Sequence, residues 1–281
     1  MKPTPEPARG STRAISSLQN ERVKLIRSLE MRKVRRETGL FVAEGASVLV
    51  AARDAGWQPK MLVVLAGSAT SGIARELLDW AQAAGAECLE VSEAVLGKLA
   101  AKDNPQTMLG VFAQRRSRAP VFESIPADGL WIALEGVRDP GNLGTIIRTA
   151  DAVGAAGVAL IGNCVDAYAR ETVRATMGSI FNVPLVRLTL EECLPWVARW
   201  AGDVVGTRLD ATEDFRARAY RAPTLLLMGS EGPGLSAELS AACTRLAKIP
   251  MAGRLDSLNL AVATGLMLYE IAKDRLRLRG S

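Results

Sequence analysis

LWIALEGVRDPGNLGTIIRTADAVGAAGVALI, residues 130–161, is the stretch that decides the fold. Apolar runs at 130–134 and 158–161 bracket a segment in which Ile146, Ile147, Ala150 and Val153 recur at helical spacing. Short apolar runs on either side of an amphipathic helix make a strand–helix–strand unit. The first run ends on Glu135, Pro140-Gly141 marks a turn, and Asn142 is placed to cap a helix over 145–153. Arg148 lies off the apolar face of that helix. Taken alone, it reads as a surface arginine paired with Asp151 three residues on.

The alternation continues downstream. Strands are expected at 185–188, 204–207, 225–228 and 246–250, with helices over 171–180, 192–200, 236–242 and 258–278. Short apolar strands buried between helices predict a mainly parallel sheet covered on both faces. Ligands of such sheets bind at the carboxyl ends of the strands, which directs attention to the loops after Glu135, Met228 and Pro250. Upstream, residues 18–38 read as a basic helix carrying Leu18, Leu25, Ile26 and Leu29, followed by shorter strand-like and helix-like patterns that end near Phe112. QRRSRAPVFESIPADG, residues 114–129, has three arginines, two prolines and no periodicity, as an exposed linker would. The expected organisation is a disordered tail (1–17), a small α/β domain (18–113), a linker (114–128) and a larger α/β domain (129–281).

Composition narrows the chemistry. Among 281 residues there is no histidine, which removes histidine-based triads and makes a catalytic transition-metal site unexpected. Chemistry must therefore run on Arg, Lys, carboxylates, hydroxyls and backbone. The net charge is +5, yet residues 1–40 alone carry ten Lys/Arg against four Glu, so the remainder is close to neutral. A basic end on a neutral body suits a polyanionic partner, or else a solvated helix face. Cys88, Cys164, Cys193 and Cys243 are widely spaced, as buried thiols in a reducing compartment would be. The N-terminus lacks the apolar segment of a secretory signal, and the apolar stretch 257–269 is short of the roughly 20 residues that span a bilayer. A cytoplasmic protein is expected, with no membrane association.

Two further loops stand out. LLLMGSEGPGLS runs from a buried strand into three glycines and one acid, Glu231. Glycines let a backbone turn tightly or approach a ligand. The phosphate-binding patterns GxxxxGK[ST] and GxGxxG are absent, which speaks against kinases, ATPases and nicotinamide enzymes. KIPMAGRLDSLNLAVATGLMLYEI places Ser257 and Asn259 at the mouth of an apolar helix, where either can cap it.

In their order and at these strand ends, the three loops resemble the SpoU (TrmH-like) family of RNA 2′-O-ribose methyltransferases. The resemblance rests on N-x5-R at Asn142 and Arg148, G-S-E-G at Gly229 to Gly232, I-P-M…S-L-N from Ile249 to Asn259, and VRATMGSIFNVPLVRL. Earlier, NERVKLIRSL, FVAEGASVL and Asn104-Pro105-Gln106 are similar to the family's ribosomal-protein-like RNA-binding domain, although Thr107 stands where a glycine is expected.

The resemblance implies a deep trefoil knot, a homodimer with shared sites, and S-adenosylmethionine as cofactor without a metal. It implies Arg148, Asn142, Glu231, Ser257 and Asn259 as the catalytic, RNA-facing set. The loops carrying Gly229, Ile249, Ser257 and Leu258 are implied to cradle the cofactor. The expected reaction is methylation of a ribose 2′-hydroxyl, with ribosomal RNA the favoured partner. Transfer RNA and a non-catalytic RNA-binding protein on the same fold are the alternatives. The family view makes Arg148 a general base. A guanidinium is a permanent cation in proteins, so a phosphate clamp that also stabilises the forming alkoxide suits it better.

Overall fold

A computed structural model describes residues 12–100, 106–115, 117–120 and 125–278. Asn104 and Pro105 of the upstream motif lie outside them, as do residues 1–11 of the expected tail. The chain divides into two compact units, Met1–Gln114 with Tyr168–Phe181, and Arg115–Ala167 with Asn182–Ser281.

The first unit opens with β1 (Thr12–Ile15), α1 (Glu21–Ser28), α2 (Arg32–Thr38), β2 (Leu40–Glu44) and α3 (Ala46–Asp54). It continues through β3 (Pro59–Leu65), α4 (Gly72–Ala83), β4 (Glu87–Val91), α5 (Glu93–Leu99) and β5 (Met108–Ala113). Its sheet has the order β1-β4-β3-β5-β2. β1, β4 and β3 run parallel, and β5 is antiparallel to both β3 and β2. The tail is thus shorter than expected, because Thr12–Ile15 pairs with β4 through Cys88 to Val91. The single helix expected over 18–38 is two. Arg35, on the second, is buried and sends Nη1 to the carbonyls of Leu29 and Glu30, each at 2.7 Å. A guanidinium thereby satisfies carbonyls that a helix end leaves open, and it stabilises the break. Val23, Ile26 and Leu29 pack beneath with Val42, Val63, Leu89 and Val91.

The second unit holds β6 (Leu130–Glu135), α6 (Pro140–Ala152), β7 (Gly157–Ile161), β8 (Leu185–Leu188), α8 (Leu190–Ala198), β9 (Val204–Thr207) and β10 (Glu213–Asp214). β11 (Thr224–Met228), α9 (Ala237–Ala242), β12 (Arg245–Lys248) and α10 (Leu260–Ala272) complete it. Its sheet has the order β10-β12-β9-β11-β6-β7-β8, with every neighbouring pair parallel. β6, β7 and β11 are buried along almost their whole length, which explains their uninterrupted apolar runs. Three of the four thiols are buried as expected, and the fourth is partly exposed. Cys88, Cys164 and Cys193 are buried and Cys243 half-buried, all free, and burial pushes Cys193 and Cys243 up to about 12.

Residues 168–181 depart from the expected domain division. α7 (Arg170–Ala175) and the 3-10 turn Ser179–Phe181 belong to the first unit, although they follow β7 in sequence. Phe181 packs against Phe112 and Trp57 at centroid distances of 5.0 and 5.1 Å, and Trp57 Nε1 donates to its carbonyl at 2.8 Å. Arg170 pairs with Glu30 and with the buried Glu44 on β2, and also donates to the Leu99 carbonyl. The helix expected over 171–180 stops early because Met177 takes φ 52° and Gly178 φ 102°.

Candidate active site

β6 and β11 are neighbours in register, Leu134 opposite Met228, so the loops that follow them emerge side by side. The first leads into α6, whose N-cap is Asp139 and not Asn142. The Asp139 carboxylate accepts the Asn142 N–H at 2.6 Å, and Pro140 occupies the first helical position. α6 therefore begins five residues earlier than expected. Asn142 is released from capping, and its side chain faces outward in the first turn.

The second loop, residues 229–235, folds back on itself. Gly234 N–H donates to the Ser230 carbonyl at 3.0 Å, and a Cβ on Gly229 would lie 2.0 Å from the Gly234 carbonyl carbon. Only glycine fits at 229. The tip of this closed loop presents Glu231, whose carboxylate accepts a hydrogen bond from Asn142 Nδ2. The loop after β12 supplies the third member. Asn259 caps α10 through Oδ1, which accepts from Ala261 N at 2.9 Å, and its Nδ2 donates to Asn142 Oδ1 at 2.9 Å. Of the two expected caps, Asn259 is the one used. Three loops far apart in sequence are thus joined in one chain, Asn259 to Asn142 to Glu231, open to solvent.

Arg148 is not part of this chain. Six residues beyond Asn142, it leaves α6 roughly 9 Å further along the axis and about two-thirds of a turn around it. It is exposed, on the side opposite the buried Leu143, Ile146, Ile147 and Ala150. Asp151, its partner in the simplest reading, accepts instead from Asn182 Nδ2 at 2.9 Å. Ser257 stands exposed two residues before the α10 cap. On the same loop Leu258 and Leu255 are 37% and 75% exposed, and Ile249 is half-buried. Apolar surface left open beside polar loop ends can receive a flat aromatic ring.

Sequence reading missed Asp139, although an acid immediately before a proline and a helical pattern is a cap signal in its own right. It also missed Glu135. The carboxylate of this residue accepts the Ser236 N–H at 2.8 Å, at the far end of the loop bearing Glu231.

With no histidine and no group of metal-ligating side chains among the described residues, the site offers amides, a carboxylate, a hydroxyl and a guanidinium. These can bind and orient a hydroxyl-bearing, phosphate-bearing substrate. A model of the SpoU rRNA methylase family matches residues 129–269, and one of the MRM3-like substrate binding domain matches residues 20–110. The chain is 34% identical over 255 residues to the 23S rRNA (uridine(2479)-2'-O)-methyltransferase of Streptomyces viridochromogenes, spanning 87% of this chain and 86% of that one. The AdoMet-bound rRNA methyltransferase from Sinorhizobium meliloti superposes with a TM-score of 0.86 at 44% identity, over 95% of this chain and 99% of that one. The SpoU methyltransferase AviRb from Streptomyces viridochromogenes, in complex with AdoMet, gives a TM-score of 0.81 at 32% identity, over 92% and 98%. The chain belongs to the SpoU rRNA methylase family. The site residues fit the cofactor those two structures contain, since the exposed Leu255 and Leu258 suit an adenine face beside polar loop ends.

Proposed function

We propose that this protein transfers a methyl group from S-adenosylmethionine to a ribose 2′-hydroxyl of ribosomal RNA. The observation that carries the proposal is the hydrogen-bonded chain Asn259–Asn142–Glu231 at the ends of three strand-to-helix loops. The residues placed to hold the cofactor are Gly229, Ile249, Ser257 and Leu258. When bound, it supplies an electrophilic methyl sulfonium. The protein's own task is to place the hydroxyl in line and remove its proton. Asn142 fixes one Glu231 oxygen and leaves the other to accept the hydroxyl proton. Arg148, exposed and without an ion pair among the described residues, grips the phosphate beside the target ribose and stabilises the forming alkoxide. Ser257 orients the hydroxyl.

The first unit presents Arg32 and Arg36 on the surface of α2, and it serves in this reading as the RNA-binding domain. A homodimer completes the site. Val262, Leu266 and Tyr269 lie along one side of α10 at 53%, 41% and 52% exposure, an apolar stripe suited to a second copy. Arg148 also leaves α6 away from the Asn142 chain, so a neighbouring protomer is the natural place for it to act. The trefoil knot implied by the family belongs to the same reading, as does a cytoplasmic location. None of the described helices is long and apolar enough to cross a membrane.

The test is methyl transfer to ribosomal RNA by the purified protein with S-adenosylmethionine and a chelator. A 2′-O-methyl group protects the adjacent phosphodiester from alkali, so the labelled product is expected as an alkali-resistant dinucleotide. Label released with a methylated base, or transfer that requires a divalent ion, would overturn the proposal.

A further inference from the structure

Glu231 is held in place from two sides, and only one of them is in the polar chain already described. The other begins at Glu135, the last residue of β6, whose half-buried side chain turns toward the loop after β11. Its Oε2 accepts the backbone N–H of Ser236 at 2.8 Å. Ser236 is both the end of that loop and the N-cap of α9, where its Oγ accepts from Leu239 N at 3.3 Å. The loop between is folded tightly on itself. The Ser230–Gly234 hydrogen bond closes it, and Gly229 lies against the backbone of Gly234 and Leu235. β11 anchors one end of this closed loop. The Glu135–Ser236 bond fixes the other end to the neighbouring strand.

We infer that Glu135 is a positioning residue for methyl transfer, which locks the 229–235 loop onto β6 and so sets where Glu231 and the Gly229 backbone stand. The inference rests on the proposed activity for its kinetic consequence, while its structural half can be read without RNA. A hydrogen bond to a charged acceptor is stronger than one between neutral groups, so a carboxylate is the side chain best suited to this latch. Glu135 does not touch the reacting atoms. Its effect passes through the loop to Glu231, and through Gly229 to the cofactor.

Two substitutions cut the latch from opposite ends. Glu135→Ala removes the acceptor. Glu135→Gln keeps a carbonyl oxygen at the same place and should restore most of what Ala loses. At the other end Ser236 has φ −58°, a value proline accepts, so Ser236→Pro removes the N–H donor, whereas Ser236→Ala removes the hydroxyl cap and keeps the N–H. In hydrogen exchange on the full chain, amides of residues 229–235 should exchange at least tenfold faster in Glu135→Ala and Ser236→Pro than in Glu135→Gln and Ser236→Ala. In the same two variants kcat should fall at least tenfold and S-adenosylhomocysteine should bind more weakly, with KM for RNA unchanged. Unchanged exchange in Glu135→Ala and Ser236→Pro, or equal loss in Ala and Gln at 135, would overturn the inference. Faster exchange in a protein whose wild type neither binds S-adenosylhomocysteine nor methylates RNA would leave the latch standing and remove the proposed activity instead.

Discussion

Two polar clusters, one of buried charges and one chiefly of exposed amides, differ in how much of their hydrogen-bonding capacity is already used. In the first unit Arg170 meets Glu30, Glu44 and the Leu99 carbonyl, with the Glu44 side chain 3% exposed and that of Arg170 15%. In the second, Asn259, Asn142 and Glu231 form an open chain at the surface, with Arg148 outside it. Burial makes a charged group costly unless its partners are present, so the first cluster acts as a fastening that holds α7 to β2. Exposure leaves the second with spare donors and acceptors, which the proposed function assigns to the substrate. What separates structure from chemistry here is how far the hydrogen-bonding capacity is already used.

The largest expected effect breaks the first cluster. Arg170→Ala takes the guanidinium from a buried carboxylate and should lower stability by about 3–5 kcal/mol, measured by urea unfolding. Adding Glu44→Gln should recover part of the loss, because the remaining side chain is neutral. A loss under about 1 kcal/mol would show that the pair behaves as a surface ion pair.

The same kind of change in the second cluster should leave stability alone. Glu231→Gln is exposed and keeps an acceptor for Asn142, so the unfolding midpoint should stay put while kcat falls on the order of 10²-fold. Near-normal turnover would return Glu231 to a purely orienting part.

The smallest effect sharpens the contrast through long-range charge. Arg32 and Arg36 on α2 are exposed, with no ion pair among the described residues. Replacing both by alanine should weaken RNA binding and reduce the slope of log K against log salt by about 1–2. An unchanged slope would assign that face to solubility.

The sequence made the second unit legible far better than the first. Parallel strands buried on both sides read as plain apolar runs, and β6, β7, β8, β9 and β11 start and end within a residue of expectation. Helix ends were harder, because competing caps sit close together. Asp139 outcompetes Asn142, which frees Asn142 for the site, while Asn259 caps and donates at once. In the first unit Arg35 looked like one more solvated cation, and only its burial against the Leu29 and Glu30 carbonyls shows why the helix breaks there. The placement of residues 168–181 had no local signal at all. Tyr168, Arg170 and Phe181 are committed by partners at Phe41, Glu44 and Trp57, more than a hundred residues away. Site residues were legible as a motif, whereas their connection as Asn259–Asn142–Glu231 required the strand order.

The central claim, that the exposed cluster with Arg148 performs methyl transfer, is tested most directly by single-turnover rates and cofactor affinity on the same preparation of Arg148→Ala. The side chain is exposed and stands apart from the proposed cofactor loops, so S-adenosylhomocysteine affinity and the unfolding midpoint should match wild type. The rate on ribosomal RNA should fall on the order of 10²–10³-fold, with Arg148→Lys keeping part of it as a phosphate-binding cation. Near-wild-type turnover in Arg148→Ala would contradict the account and leave Arg148 as an ordinary surface arginine.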